Sequence, residues 1–159
     1  TGNKGEQQLD ILVKKEKIFD NIVAVSGTKK EAIRTISRLC AKQTMLDATQ
    51  LEEAFWKREE WDSTGCGEGI AIPHAIIKEI DEVQLFIVRF RYPIEWESFD
   101  DKKVDIAFAI IAPEEKGQEK YLVFLSRLAR KLVDEKFIAD FRNCRSTEAV
   151  YQYVKNELE

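Results

Sequence analysis

The stretch Ser63–Ala75, STGCGEGIAIPHA, gathers the residues of this chain best suited to chemistry. It carries His74, the single histidine of the chain, directly after Pro73 and behind Gly65, Gly67 and Gly69. An imidazole with its reference pKa near 6.5 is roughly three-quarters neutral at pH 7, and a neutral ring offers a nucleophilic nitrogen. Glycines admit positive φ and let backbone N–H groups approach an anion. Pro73 fixes its own φ and drives Ile72 towards an extended conformation, so the chain is expected to enter His74 stiffly, at the end of a strand. The same residues also fit a structural histidine bonded to a carbonyl. Upstream, Arg58 precedes the Asp62–Gly67 turn. Its guanidinium suits paired hydrogen bonds to a phosphoryl group; the plainer alternative is a surface ion pair with Glu52, Glu53 or Asp62.

The elements that must position these groups follow from capping and periodicity. Thr28-Lys29-Lys30-Glu31 has the form of a capping box, and Ile33, Ile36, Leu39 and Cys40 then recur at helical spacing. Thr49-Gln50-Leu51-Glu52 repeats the signal and predicts a second helix to about Trp61, with Leu51, Ala54 and Phe55 inward. Gly69–Pro73 and Val83–Arg91 read as strands, the second with Val83, Leu85, Ile87 and Arg89 on one face. Val104–Ala112 is apolar enough for a central strand covered on both sides. Leu122, Leu125, Leu128, Ala129 and Leu132 predict a helix over 119–133. Two more are expected near 134–143 and 147–158, the last capped by Ser146. Together these predict an α/β fold, a mixed central sheet flanked by helices on both faces in a single domain.

Composition narrows the function classes. Apolar residues make up 44% and charged residues 34%, and the net charge is −4. That balance argues against a nucleic-acid partner, and no apolar run reaches the length of about 20 residues that spans a bilayer. Residues 1–8, TGNKGEQQ, lack a secretory signal core and read as a flexible N-terminal segment or an appended remnant, with the domain expected over 9–159. Cys40, Cys66 and Cys144 are odd in number and widely spaced, which fits reduced thiols in a cytoplasmic protein.

The run Gly67-x-x-Ile70-Ala71-Ile72-Pro73-His74-Ala75, with Arg58-Glu59 and Ser63-Thr64-Gly65 upstream, resembles the active-site signature of phosphotransferase-system (PTS) enzyme IIA domains of the fructose/mannitol class, including the nitrogen-regulatory members. Lys30-Glu31-Ala32-Ile33, Val104–Pro113 and Leu125–Arg130 resemble that family's first helix, central strand and following helix, so the likeness spans nearly all of 9–159. The resemblance implies that His74 accepts a phosphoryl group from the phosphocarrier HPr, or its nitrogen-branch paralogue, and passes it to a cysteine of a IIB domain for sugar uptake. It also implies Arg58 as charge stabiliser. Such relay needs no metal or cofactor, since in-line positioning and stabilisation of negative charge suffice. The Thr64 hydroxyl and backbone amides at Gly65, Gly67 and Gly69 are candidate phosphoryl-binding donors, and a labile phosphohistidine argues for an exposed site. The alternative is a regulatory IIA-like module that signals through its phosphorylation state, as a nitrogen-branch protein or the tail of a transcription regulator.

Two residues depart from the family pattern. Tyr121 stands where many members carry a second histidine; a phenol donates one hydrogen bond but is not cationic near neutral pH. Its other reading is a core-edge aromatic. Cys66 replaces an aliphatic residue and reads either as a small buried hydrophobe or as a redox-sensitive thiol. A Cys66–His74 thiol hydrolase lacks an evident third orienting residue.

Overall fold

The computed structural model describes residues 12–159. The expectation for residues 1–8 lies outside that range. After a 3-10 turn over Lys15–Lys17, strand β1 (Ile18–Ile22) leads to two helices, α1 (Lys29–Thr44) and α2 (Ala48–Trp61). Thr28 caps α1 as the sequence predicts, its hydroxyl accepting from the Glu31 amide at 3.2 Å. The start of α2 differs. Its N-cap is Asp47, whose carboxylate accepts from the Gln50 amide at 2.9 Å, so Thr49 lies inside the helix. Aspartate is among the strongest N-caps and comes first in the chain, so it satisfies the orphan amides before the box at Thr49 is reached.

Three short strands follow, β2 (Gly65–Gly67), β3 (Ile70–Ala71) and β4 (His74–Ile77), then the long strands β5 (Gln84–Ile94) and β6 (Val104–Pro113). The expected strand over 69–73 is therefore split at Ile72-Pro73, and β4 continues past it. Helices α3 (Gln118–Leu132), α4 (Glu135–Arg142) and α5 (Thr147–Leu158) complete the chain. The sheet order is β1-β5-β6-β3-β2, with β4 also on β6. It is mixed: β5 runs antiparallel to β6, whereas β1 runs parallel to β5, and β3 and β4 run parallel to β6.

Alternation along β6 divides the core between two faces. Ile106, Phe108 and Ile110 join Tyr121, Phe124, Phe137, Phe141 and Val150 under α3, α4 and α5. Ala107, Ala109 and Ile111 join Ile33, Ile36, Leu51 and Phe55 under α1 and α2, and Val104 joins them out of phase, beside the register shift with β5. The result is the predicted α/β sandwich, helices on both faces of a mixed sheet. Within α3 the buried face is Tyr121, Phe124, Leu128 and Leu132, with Leu125 at its margin; Leu122, expected inward, is 58% exposed. Tyr121 and Phe124 are apolar enough to take the inner stripe, and that rotates the helix away from Leu122. Ser146 caps α5 as expected, accepting from the Ala149 amide at 3.0 Å. Among the described residues no helix is long and apolar enough to cross a membrane.

The cap assignment is open to direct test. Asp47→Ala is expected to lower unfolding stability by about 1 kcal/mol, whereas Thr49→Ala should change it by under about 0.5 kcal/mol, read from urea denaturation midpoints.

Candidate functional site

Pairing to β6 places His74. Ile70 faces Ile106 and His74 faces Ile110, so the register continues across Ile72-Pro73 without slip. Pro73 has no N–H to donate, but its carbonyl accepts from the Ile110 amide at 2.9 Å and keeps the strand aligned. His74 thus opens β4, where the sequence placed it at a strand end. Ala75 and Ile77 point into the α1/α2 core, so His74 and Ile76 face the α3 side. There the Tyr121 ring meets the imidazole edge-on, centroids 6.2 Å apart and planes at 82°. Tyr121 is at once a core aromatic and a neighbour of His74.

The site is more enclosed than the sequence suggested. His74 is only 8% exposed, and its Nδ1 is sealed from solvent without a hydrogen-bond partner. Burial, then the positive charge of Arg58, lowers the imidazole pKa to about 4, against weaker opposition from the Ile72 backbone and the Glu59 charge. The ring is therefore neutral across the physiological range, not merely three-quarters so. Burial also raises the Tyr121 pKa, with Arg58 working the other way, so the phenol keeps its proton.

Arg58 lies in the last turn of α2. Its Nη1 donates to the Asp62 carbonyl at 2.6 Å and its guanidinium sits 5.3 Å from the Trp61 ring centroid. The suggested side-chain pairing with Glu52 gives way to another, because Glu52 meets Arg34 at 3.5 Å. The Ile72 amide bonds the Thr64 carbonyl at 3.0 Å, two residues before His74. With Nη1 anchored on the Asp62 carbonyl, the Arg58 charge reaches both His74 and Tyr121. His74, Arg58 and Tyr121 are brought together.

The glycine-rich turn is not. Gly67 and Gly69 form the reversal between β2 and β3, five residues from His74 at the far end of the strand, about 16 Å of extended chain for Gly69. The need for glycine there is steric. A Cβ on Gly65 would run into the Glu97 carbonyl, and one on Gly67, at φ +88°, would run into the Phe99 ring, both from the loop between β5 and β6. Thr64 spends both its donors on Glu59, the hydroxyl at 2.6 Å and the amide at 2.8 Å. The Cys66 thiol reaches the Ile70 carbonyl at 3.3 Å, and burial pushes its pKa up to about 11. At neutral pH it stays a thiol packed on the core, remote from His74.

Glu59 is the residue that sequence reading left without a role. Its side chain is fully buried and also accepts from Lys29 Nζ at 2.8 Å and Trp96 Nε1 at 3.1 Å. The signal was present: Glu59 continues the Leu51, Phe55 stripe at helical spacing, a carboxylate on the inward face of α2.

The depressed imidazole pKa carries a measurable consequence. In an NMR titration His74 should stay neutral until about pH 4, and Arg58→Ala should move the midpoint upward, since the guanidinium opposes imidazolium. The unfolded ring takes its proton near pH 6.5 and the folded ring near 4, so stability falls as pH drops through that window and by no more than about 3 kcal/mol.

Residues 11–157 match the family model for "Phosphoenolpyruvate-dependent sugar phosphotransferase system, EIIA 2". Over 156 residues the chain is 34% identical to the nitrogen regulatory protein of Escherichia coli (strain K12), covering 97% of this chain and 93% of that protein. Among solved structures it superposes on nitrogen regulatory protein IIA-Ntr from Neisseria meningitidis with a TM-score of 0.83 at 25% identity, covering 92% of this chain and 98% of that one. It shares its fold with a chain of the Escherichia coli complex of enzyme IIAMTL and phosphorylated enzyme IIBMTL, at a TM-score of 0.69 and 21% identity over 89% and 95% of the two chains. A match of this length, reached independently by sequence and by shape, shows that the chain belongs to the phosphoenolpyruvate-dependent sugar phosphotransferase system EIIA 2 family.

Proposed function

We propose that this domain carries a phosphoryl group on His74, taken from an HPr-type phosphocarrier or its nitrogen-branch paralogue. The observation that carries the reading is a neutral imidazole, with its pKa lowered to about 4, lying in the field of Arg58. Nδ1 is sealed off, which leaves Nε2 as the nitrogen for an incoming donor. Its lone pair attacks the phosphorus of the donor phosphohistidine. The new N–P bond forms as the donor's N–P bond breaks; the donor ring, protonated on its other nitrogen, leaves with the bonding pair as neutral imidazole, while His74 keeps its proton on Nδ1, so protons and charge balance. Negative charge spreads over the phosphoryl oxygens in the transition state, and the Arg58 N–H groups not engaged by Asp62 are available to meet it. Tyr121 adds a neutral donor where many members of the family have a histidine. Thr64 and Gly65 offer no free donor side chain here, since the Thr64 hydroxyl and amide are both committed to Glu59 and Gly65 packs against the Glu97 carbonyl.

Two outputs are compatible with this step. One is onward transfer to a IIB cysteine of a sugar permease, the complex that the mannitol neighbour describes for its own partner. The other is regulatory, with the phosphorylation state itself as the signal; it is favoured by the likeness to proteins named nitrogen regulatory. Either role belongs in the cytoplasm, where the phosphocarriers act.

Incubation with radiolabelled phosphoenolpyruvate, enzyme I and HPr should give an acid-labile, base-stable adduct that His74→Ala abolishes; label surviving that substitution would sink the assignment. Chasing the labelled domain with a IIB protein then separates the outputs, since label that moves to IIB supports relay and label that stays supports regulation. Arg58→Lys should slow phosphoryl acceptance about tenfold, equivalent to about 1.4 kcal/mol, because an ammonium cannot reproduce the planar fork. Unchanged kinetics in a folded variant would remove Arg58 from the chemistry.

A further inference from the structure

Glu59 invites a role beyond stability. Its carboxylate gathers four hydrogen bonds from three separate segments, Lys29 at the start of α1, Thr64 ahead of β2, and Trp96 in the loop after β5. Lys29 is itself nearly buried and extends the network to Glu97 at 2.9 Å, with its ammonium 5.2 Å from the Trp96 ring centroid. An apolar side chain would continue the Leu51, Phe55 stripe without the desolvation that a buried carboxylate incurs. What the carboxylate does that an apolar residue cannot is hold the segment from 62 to 64. That segment supplies the Asp62 carbonyl on which Arg58 is anchored, at 2.6 Å. It also supplies the Thr64 carbonyl that takes the Ile72 amide, at 3.0 Å, two residues before His74. Arg58 and Glu59 are neighbours about 100° apart on α2, one at the sheet edge and one in the core. The core residue thereby governs both the anchor of the guanidinium and the strand that presents the imidazole.

We infer, building on the phosphoryl-carrier reading, that Glu59 is a positioning residue for phosphoryl transfer, fixing the Asp62–Thr64 segment so that Arg58 is aimed at the group on His74. It touches no reacting atom and acts through Arg58.

The test is a double-mutant cycle on the full chain, with Glu59→Gln, Arg58→Ala and the pair. The readouts are kcat and KM for label taken from phospho-HPr, generated with radiolabelled phosphoenolpyruvate and enzyme I. Glutamine keeps the shape but sets an NH2 against donors. Glu59→Gln should lower kcat about tenfold with KM changed less than about twofold, and should add less than about twofold to the loss already present in Arg58→Ala. Losses that multiply, or an effect on KM alone, would overturn the role, because a residue serving only stability has no reason to depend on Arg58. Should Glu59→Gln fail to fold, Trp96→Phe removes one of the four bonds and keeps the carboxylate; its smaller loss, about threefold, should likewise vanish in the Arg58→Ala background, and persistence there overturns the inference. Wild-type chain that takes no label overturns the carrier reading and this role with it, whereas wild type that labels while the losses multiply overturns this role alone.

Discussion

Strand β6 is apolar on both faces, and such a strand is stable only between paired neighbours and beneath helices on either side. That constraint orders the rest of the molecule. β5 pairs along one edge of β6, and β3 and β4 share the other in a single unbroken register. Alternate residues send their side chains into two cores, one closed by α1 and α2 and the other by α3, α4 and α5. Because β4 inherits its register from β3, His74 must point to the α3 face, opposite Ile110, and nowhere else. Among the described residues β2 pairs only with β3, and β4 pairs only with β6.

The electrostatics of the site follow from that placement. Burial and the guanidinium both act against a protonated imidazole, so the ring rests as a neutral nucleophile. On the proposed phosphoryl-carrier reading, the same guanidinium would face an anion once the group is attached, and its effect would change sign. One fixed positive charge disfavours the protonated ring and, on that reading, would favour the charged adduct. Opposing the first effect weakly is Glu59, whose carboxylate is matched by the Lys29 ammonium within the core. The protein carries this buried ion pair near His74, where an unsatisfied charge would be destabilising and a satisfied one rigidifies its surroundings.

What could be read from the chain alone was local or periodic. The caps at Thr28 and Ser146, the helices they begin, the two-sided apolar run of β6 and the layered α/β arrangement each depend on residues within a few positions of one another. The Pro73-His74 pair was legible for the same reason, since a proline constrains only its immediate neighbours. Strand β1 was not, because IFDNI lacks a clean alternation and owes its pairing to β5, far along the chain. Glu59 stood in plain view on an apolar stripe, but its partners Lys29 and Trp96 are distant in sequence and come together only when α1, α2 and the β5–β6 loop pack.

The glycines show the division most clearly. As residue types they announced a backbone of unusual freedom, and that much was correct for Gly67 and Gly69. Whether the freedom served an anion or a close approach of backbone to side chain is a question of what lies above the turn. Here the answer is Phe99 and the Glu97 carbonyl, supplied by a loop some thirty residues on. The sequence therefore singled out His74 as the candidate residue. Its burial, its pKa, its company of Arg58 and Tyr121, and the separation of the glycine turn from it were decided by the tertiary structure, because solvent exclusion and fixed charges arise only when distant segments share one volume.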